Sequence, residues 1–319
     1  TAEGAVWAKE SVKANEASEP FLFSGWTNRC GWVKNEGNQP VNFTFEIDEA
    51  GNNEWKTLKS VTVNAGKATS VPFLSTERGE WIRVKTDKNT MATVSFNYTS
   101  PDIRSTSSDS IYKGLTTVDK TTTTGGLLYG LGDNRRALGL LANVTVDGKI
   151  SETGYYEMGD KLELIRKEDA KTADLIRSKF AIPQQVISIE ESSVLVVDDL
   201  GRRWRLPLGN ETYKKLTDQG VLRICREVAT ERDLFSCMGT FYELPAENAD
   251  GYAKIRPVST HNYRINDYAS YRGMLVLTGV TPEDGKENPH VVISDDGKAA
   301  VWVGVIDDLW TLGKPVGQG

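Results

Sequence analysis

Val196-Val197-Asp198-Asp199-Leu200-Gly201-Arg202-Arg203-Trp204 spells out a β-hairpin. An apolar strand runs into an acidic turn. An aspartate can bond the turn backbone, glycine supplies a positive φ, and tryptophan on the return strand packs beneath. The same order recurs upstream as Phe45-Glu46-Ile47-Asp48…Gly51…Trp55. It recurs downstream as Val292-Ile293-Ser294-Asp295-Asp296-Gly297…Trp302. Two readings stay open: three repeats of one structural unit, or three ordinary hairpins in a β-rich chain.

Outward from these hairpins, short alternating or apolar runs are separated by Asn, Gly and Pro clusters. They fall at residues 21–23, 32–33, 43–47, 55–58, 61–63, 81–85 and 92–98, and predict strands. Residues 1–20 are polar and read as a strap. Residues 100–126 are rich in Ser and Thr, without a period, and read as a connection. Further strands are expected at 127–129, 138–141, 144–146, 155–156, 162–165, 194–197, 204–206, 222–225, 239–243, 253–258, 274–278, 291–293 and 300–305. Two helices are expected. One spans 168–180, with Ala173, Ile176 and Phe180 on one face and Pro183 beyond it. The other runs from Asn210 as N-cap to Gly220.

The expected fold class is all-β: a β-propeller of short antiparallel blades, with an N-terminal β-sandwich as an option. Residues 1–100 form that sandwich or the first blades, 101–125 connect, and 126–319 supply blades.

The bulk numbers narrow the function classes. A chain of 319 residues with a net charge of −6 lacks the basic balance of a nucleic-acid backbone binder. No apolar run approaches the ~18–20 residues that span a bilayer. Cys30, Cys225 and Cys237 show no CxxC spacing and suit neither a disulfide framework nor a zinc site. The sequence opens on Thr1, which reads as a trimmed chain with any signal peptide out of sight.

Several longer strings form a set. They are Gly125-Gly126-Leu127-Leu128-Tyr129, Thr230-Glu231-Arg232-Asp233-Leu234-Phe235, Gly239-Thr240-Phe241-Tyr242-Glu243-Leu244-Pro245-Ala246-Glu247-Asn248, Tyr271-Arg272-Gly273, and Ile306-Asp307-Asp308-Leu309-Trp310…Gly313-Lys314-Pro315. Together they resemble a family of largely uncharacterised bacterial proteins from polysaccharide-degrading Bacteroidota and planctomycete-type bacteria. That resemblance implies a β-propeller and a glycan-rich setting, and brings no catalytic residues. The hairpins resemble the Asp-box of sialidase-like propellers, with Asp199, Gly201 and Trp204 keeping the Asp-x-Gly-x-x-Trp spacing. In the resembled family a segment like Trp7…Phe21-Leu22 follows the Gly-Lys-Pro string, whereas here it precedes everything. A ring closed by strands from both termini is the expectation; a piece of a longer tandem is the alternative.

Residues 230–272 concentrate ionisable groups among tyrosines, a mixture suited to a sugar, which has polar edges and flat apolar faces. A glycosidase needs two carboxylates, about 5–9.5 Å apart depending on stereochemistry. The pool is Glu231, Asp233, Glu243, Glu247 and Asp267, with Glu231, Glu243 and Glu247 as catalytic candidates. His261 is an alternative acid or base. Arg232, Arg256 and Arg272 are candidates to hold an acidic sugar, with Tyr242 or Tyr271 stacking on a ring. The plainer alternative pairs Glu231 with Arg226 or Arg232, Glu243 with Lys254, and buries His261 against a loop carbonyl. No metal site is expected, although Asp307-Asp308 offers oxygens of the kind calcium takes.

The expected function is therefore glycan-active: a glycoside hydrolase acting on an acidic-sugar-containing polysaccharide or oligosaccharide, periplasmic or secreted, without cofactor. A polysaccharide lyase, with His261 or Tyr271 taking the proton, is a variant. A non-catalytic carbohydrate-binding propeller is the rival. The expected partner is a carbohydrate, not nucleic acid, and the oligomeric state is left open.

Overall fold

The structure, a computed structural model, describes residues 2–99, 110–132 and 136–312. The Gly313-Lys314-Pro315 string and residues 101–109 of the expected connection lie outside the described residues.

The first eight strands are β1 (Ala2–Val12), β2 (Phe21–Leu22), β3 (Asn28–Asn35), β4 (Val41–Asp48), β5 (Trp55–Val63), β6 (Ala68–Phe73), β7 (Trp81–Thr86) and β8 (Thr90–Thr99). They pair as two antiparallel layers, β1-β8-β3-β6 and β2-β7-β4-β5. Alternation does the sorting. In β8, Ala92, Val94, Phe96 and Tyr98 are buried while the residues between them face outward. The inner faces meet through aromatic rings. Phe21 stacks on Phe96 at 4.9 Å, and Phe45 meets Phe73 edge-on at 5.6 Å. Such pairs add roughly 0.5–1.5 kcal/mol each beyond area burial. An N-terminal sandwich is thus formed.

The expected strap at residues 1–20 is in fact largely β1. Its register against β8 shifts between Ala5 and Trp7 and again between Trp7 and Glu10. Lys9 sits at φ 55. These irregularities break the period-2 pattern by which a strand is recognised.

The rest of the chain is β9 (Thr123–Gly130), β10 (Leu138–Val146), β11 (Lys149–Met158), β12 (Leu164–Arg166), α1 (Ala170–Lys179), β13 (Ser188–Ile189), β14 (Val194–Val197), β15 (Arg203–Leu206), α2 (Glu211–Asp218), β16 (Cys225–Ala229), β17 (Arg232–Cys237), β18 (Thr240–Pro245), β19 (Arg256–Thr260), β20 (Tyr268–Tyr271), β21 (Met274–Leu277), α3 (Pro282–Gly285), β22 (Val291–Ile293), β23 (Ala300–Val305) and α4 (Ile306–Leu312). Three four-stranded antiparallel sheets result, ordered β12-β11-β10-β9, β16-β17-β18-β19 and β20-β21-β23-β22. The β13–β15 unit instead joins the sandwich. β15 runs parallel to β2 at Arg205 and Phe21, making a seven-stranded sheet.

Both expected helices form. The Asp169 side chain caps α1 by accepting from Thr172 N–H, and the Asn210 side chain caps α2 by accepting from Thr212 N–H. The expected strand at 253–258 is half wrong: residues 251–254 make a 3₁₀ turn and β19 begins at Arg256. Asp307 and Asp308 sit in the first turn of α4, where the helix dipole favours carboxylates.

The chain is all-β in class. Among the described residues no sheet closes on itself, and the expected ring closure by the termini is not formed. β1 pairs with β8, whereas β23 lies between β21 and β22. The three Trp-bearing hairpins also occupy different settings: one in the sandwich, one on the sandwich edge, and one in the last sheet. Period-2 alternation is the same in a sandwich and a blade, so pairing had to be decided by the tertiary fold.

One buried charged cluster ties the later sheets together. Asp267, fully buried at the start of β20, pairs with Arg223 and lies 3.3 Å from the Arg226 guanidinium. Its Oδ2 accepts Leu128 N–H at 2.9 Å and its Oδ1 accepts Tyr268 N–H at 2.8 Å. Arg226 in turn donates to the Tyr268 and Leu128 carbonyls. Leu128, Arg226 and Tyr268 stand on β9, β16 and β20, the leading strands of the three sheets.

Candidate functional site

The β14–β15 hairpin is built around one carboxylate. Asp198 Oδ1 accepts the backbone N–H groups of Leu200 at 3.1 Å and Arg202 at 2.8 Å. Asp198 Oδ2 accepts from Arg202 Nε at 2.7 Å and from the Trp204 indole at 3.0 Å. Gly201 supplies φ +75. Burial alone would raise the Asp198 pKa, but the donors from Trp204 and Arg202 hold it below the ordinary carboxylate value. The bonding aspartate is Asp198, one place before the Asp199 picked by motif spacing. Trp204 packs against Trp81 with centroids 4.5 Å apart.

The β4–β5 turn repeats the device. Asp48 accepts the N–H groups of Asn52 at 3.1 Å and Asn53 at 2.7 Å, and the Trp55 indole donates to Asn53 Oδ1 at 2.6 Å. This turn meets the 3₁₀ segment: a Cβ on Gly51 would lie 2.5 Å from the Ala253 carbonyl oxygen. The same carbonyl accepts the Trp81 indole at 2.5 Å.

Two cavities flank the β14–β15 hairpin. One, of about 530 Å³, lies toward the sandwich and is walled by Asp48, Asn52, Asn53, Trp55, Arg203 and Trp204 among others. The other, of about 460 Å³, is walled by Asp198, Asp199, Asp233, Leu244, Glu247 and Tyr252 among others. Arg202 lines both, with Gly251 and Tyr252 on the wall of one and Asp250 and Ala253 on the wall of the other, so the two cavities adjoin across the hairpin tip.

The second cavity is acidic. The half-buried Asp233 carboxyl has its pKa raised, first by burial and then by Glu227, while a 3.5 Å hydrogen bond from the Cys225 thiol offsets part of this. Burial and the nearby Cys225, Asp199, Asp233 and Asp198 push the Tyr252 phenol up. Among the described residues no group of three His, Cys, Asp or Glu side chains is placed to hold a metal ion. The three cysteines are free.

Of the residues singled out in the sequence, Glu247 reaches this cavity. Asp233, in the carboxylate pool, does too. Glu231 stands exposed on the β16–β17 turn at φ 60, its N–H bonded to Glu227 and its carbonyl to Ala246 N–H. Glu243 is buried and engaged elsewhere. Arg256 grips its Oε2 at 2.8 and 2.5 Å, Arg232 approaches Oε1 at 3.4 Å, and the Trp310 indole donates at 3.1 Å. Glu243, Arg232 and Arg256 therefore bond one another, and Lys254 is not the partner. Tyr242 lies in the core, edge-on to Phe235, and offers no exposed face. Tyr271 donates to the Arg136 carbonyl at 2.7 Å. Arg272 folds over the Tyr271 ring and bonds its hydroxyl at 3.1 Å.

His261 is enclosed by Tyr112, Tyr213, Phe241 and Tyr263. Its Nδ1 accepts Tyr263 N–H at 3.2 Å. Burial lowers its pKa to about 3, so it is a neutral core side chain near pH 7 rather than an acid or base at the surface. Sequence reading missed the cavity on the sandwich side because its walls come from segments some 150–200 residues apart; the hairpin motif itself was the available signal.

No family model matches the chain, and no curated protein matches it. Among solved structures it is similar to the crystal structure of the PBSX exported protein XepA, at 13% identity and a TM-score of 0.26. That likeness covers 40% of this chain and 60% of the other, and carries no inference. Among the described residues no helix is long and apolar enough to cross a membrane.

Proposed function

We propose that this is a glycan-binding protein whose ligand lies in the groove across the β14–β15 hairpin tip. The observation that carries this reading is the composition of the groove. Trp55 lines one cavity with the amides of Asn52 and Asn53, and Tyr252 lines the other with the carboxylates of Asp198, Asp199, Asp233 and Glu247. Aromatic rings accept the C–H face of a pyranose, while amides and carboxylates take its hydroxyls. Four acids face one arginine in the second cavity, a balance that favours a neutral or amino sugar over a uronate. The arginines expected to hold an acidic sugar are engaged: Arg232 and Arg256 with Glu243, and Arg272 with Tyr271.

The propeller reading belongs with this proposal. The Asp267 cluster gathers β9, β16 and β20 as the innermost strands of blades are gathered, which supports blade-like packing of the three sheets. A periplasmic or secreted location accords with a glycan ligand.

Hydrolysis is a second reading, favoured by Asp233. A half-buried carboxyl whose pKa is raised is the kind of group a general acid requires, and Glu247 and Asp199 on the same cavity wall offer a second carboxylate. The lyase variant gains no support, since His261 is enclosed and the Tyr271 hydroxyl is engaged.

Affinity electrophoresis tests the proposal. Wild-type protein is expected to be retarded by chitosan or galactomannan more than by polygalacturonate, and Tyr252→Ala is expected to weaken that retardation about tenfold. Unchanged retardation of Tyr252→Ala and Asn53→Ala would remove the groove as the site. Release of reducing sugar that is lost in Asp233→Asn, with retardation kept, would establish the hydrolase.

A further inference from the structure

The outer face of the β1-β8-β3-β6 sheet carries one large exposed aromatic ring. Trp32, on β3, is 51% exposed. Its direct neighbours across the ladder are Ser70 on β6 and Ser95 on β8. Side chains opposite each other in a sheet stand about 4.5–5.5 Å apart at Cβ, and serine is too short to cover an indole from that distance. The next outward positions are Cys30 and Lys34 on β3, with Thr93 and Asn97 on β8. Lys34 is drawn 3.3 Å from Glu36.

This arrangement differs from an apolar docking patch. The indole is bordered by the hydroxyls of Ser70 and Ser95 directly across the ladder, with Ala68 and Pro72 of β6 at the diagonal positions. Ser95, Thr93 and Asn97 continue into a cavity of about 510 Å³, also walled by Glu3, Glu191 and Ser192. That volume lies in the ordinary range of ligand pockets, roughly 300–1,000 Å³.

We infer that the Trp32 face is a second glycan-binding platform, taking a neutral polysaccharide of β-linked pyranoses. When such a ring has equatorial hydroxyls, both its faces present C–H groups. One face can lie on the indole while the hydroxyls at its rim meet Ser70, Ser95 and Asn97. A chain extended from that ring enters the adjoining cavity past Thr93. The platform shares no residue with the hairpin groove and stands on separate strands.

The test uses the full chain with Trp32→Ala, Trp32→Phe and Tyr252→Ala, and hydroxyethylcellulose and xylan as probes in affinity electrophoresis. Wild-type protein is expected to be retarded by at least one probe. Trp32→Ala should raise the Kd about tenfold or more with an unchanged Tm, Trp32→Phe should keep most of the affinity, and Tyr252→Ala should remain retarded by that probe. Equal retardation of Trp32→Ala and wild type, or no retardation of wild type by either polymer, would overturn the inference. Retention lost in Tyr252→Ala but kept in Trp32→Ala would place the glycan in the hairpin groove alone. Self-association abolished by Trp32→Ala, without glycan retention, would assign the face to protein contact and overturn it equally.

Discussion

The Asp198 carboxylate accepts the Trp204 indole N–H at 3.0 Å while it also closes its own turn through the N–H groups of Leu200 and Arg202. One side chain thus fixes both the shape of the hairpin tip and the position of a ring on the groove wall. Asp198→Ala is expected to lower unfolding stability by about 2–3 kcal/mol, the size of losing hydrogen bonds to a charged group. Because its pKa is depressed in the fold, the contribution is full above the unfolded carboxylate value and is lost as pH falls through the lower folded value. Urea denaturation of both proteins across acid pH measures this; equal slopes in wild type and variant would contradict it.

Glu243 lies under Arg232, Arg256 and Trp310, away from the groove. Glu243→Gln is expected to reduce stability by about 1–2 kcal/mol, less than a fully buried pair because both guanidinium groups are largely exposed. Glycan retardation should be unchanged. A tenfold loss of affinity with intact stability would return Glu243 to the site.

Asp267 is fully buried against Arg223 and Arg226. Removing it leaves guanidinium charge without its counterion and frees the N–H groups of Leu128 and Tyr268. Asp267→Ala is expected to cost about 3–5 kcal/mol. It should also loosen β9, β16 and β20 together, read as lost amide protection on all three strands by hydrogen exchange. Protection lost on β20 alone would show that the cluster does not couple the sheets.

His261, held neutral by burial, makes stability depend on pH in a known direction. Its folded pKa of about 3 lies below its ordinary value of 6.5, so the unfolded chain binds the extra proton between them. Stability from this residue is complete above pH 6.5 and falls as pH drops, by up to about 1.4 kcal/mol per pH unit. His261→Phe should flatten the unfolding free energy between pH 6.5 and 5. The same slope in both proteins would show that His261 titrates at the surface.

The hairpins were legible because their instructions are local. An aspartate reaches a backbone N–H two to five residues away, and a glycine takes its positive φ whatever surrounds it. Capped helices were legible for the same reason: Asp169 and Asn210 act on donors within their own first turn. β1 was not, since its register shifts hide the alternation. The 230–272 segment was legible only in part, because charge density says nothing of partners. Glu243, Arg232 and Arg256 satisfy one another across β17, β18 and β19, and Tyr242 and Tyr268 fill cores, while Asp233, Glu247 and Tyr252 reach a cavity wall.

By itself, then, the chain's order of residues determined the all-β class, the three Trp-bearing turns and both longer helices, all set by interactions spanning a handful of residues. Only the tertiary fold decided which strands pair, that one hairpin extends the sandwich, and that Asp198 and Tyr252 border one cavity while Asn53 borders its neighbour. Those outcomes depend on contacts between segments 50 to 200 residues apart, and period-2 alternation, being common to every antiparallel sheet, carries no address for them.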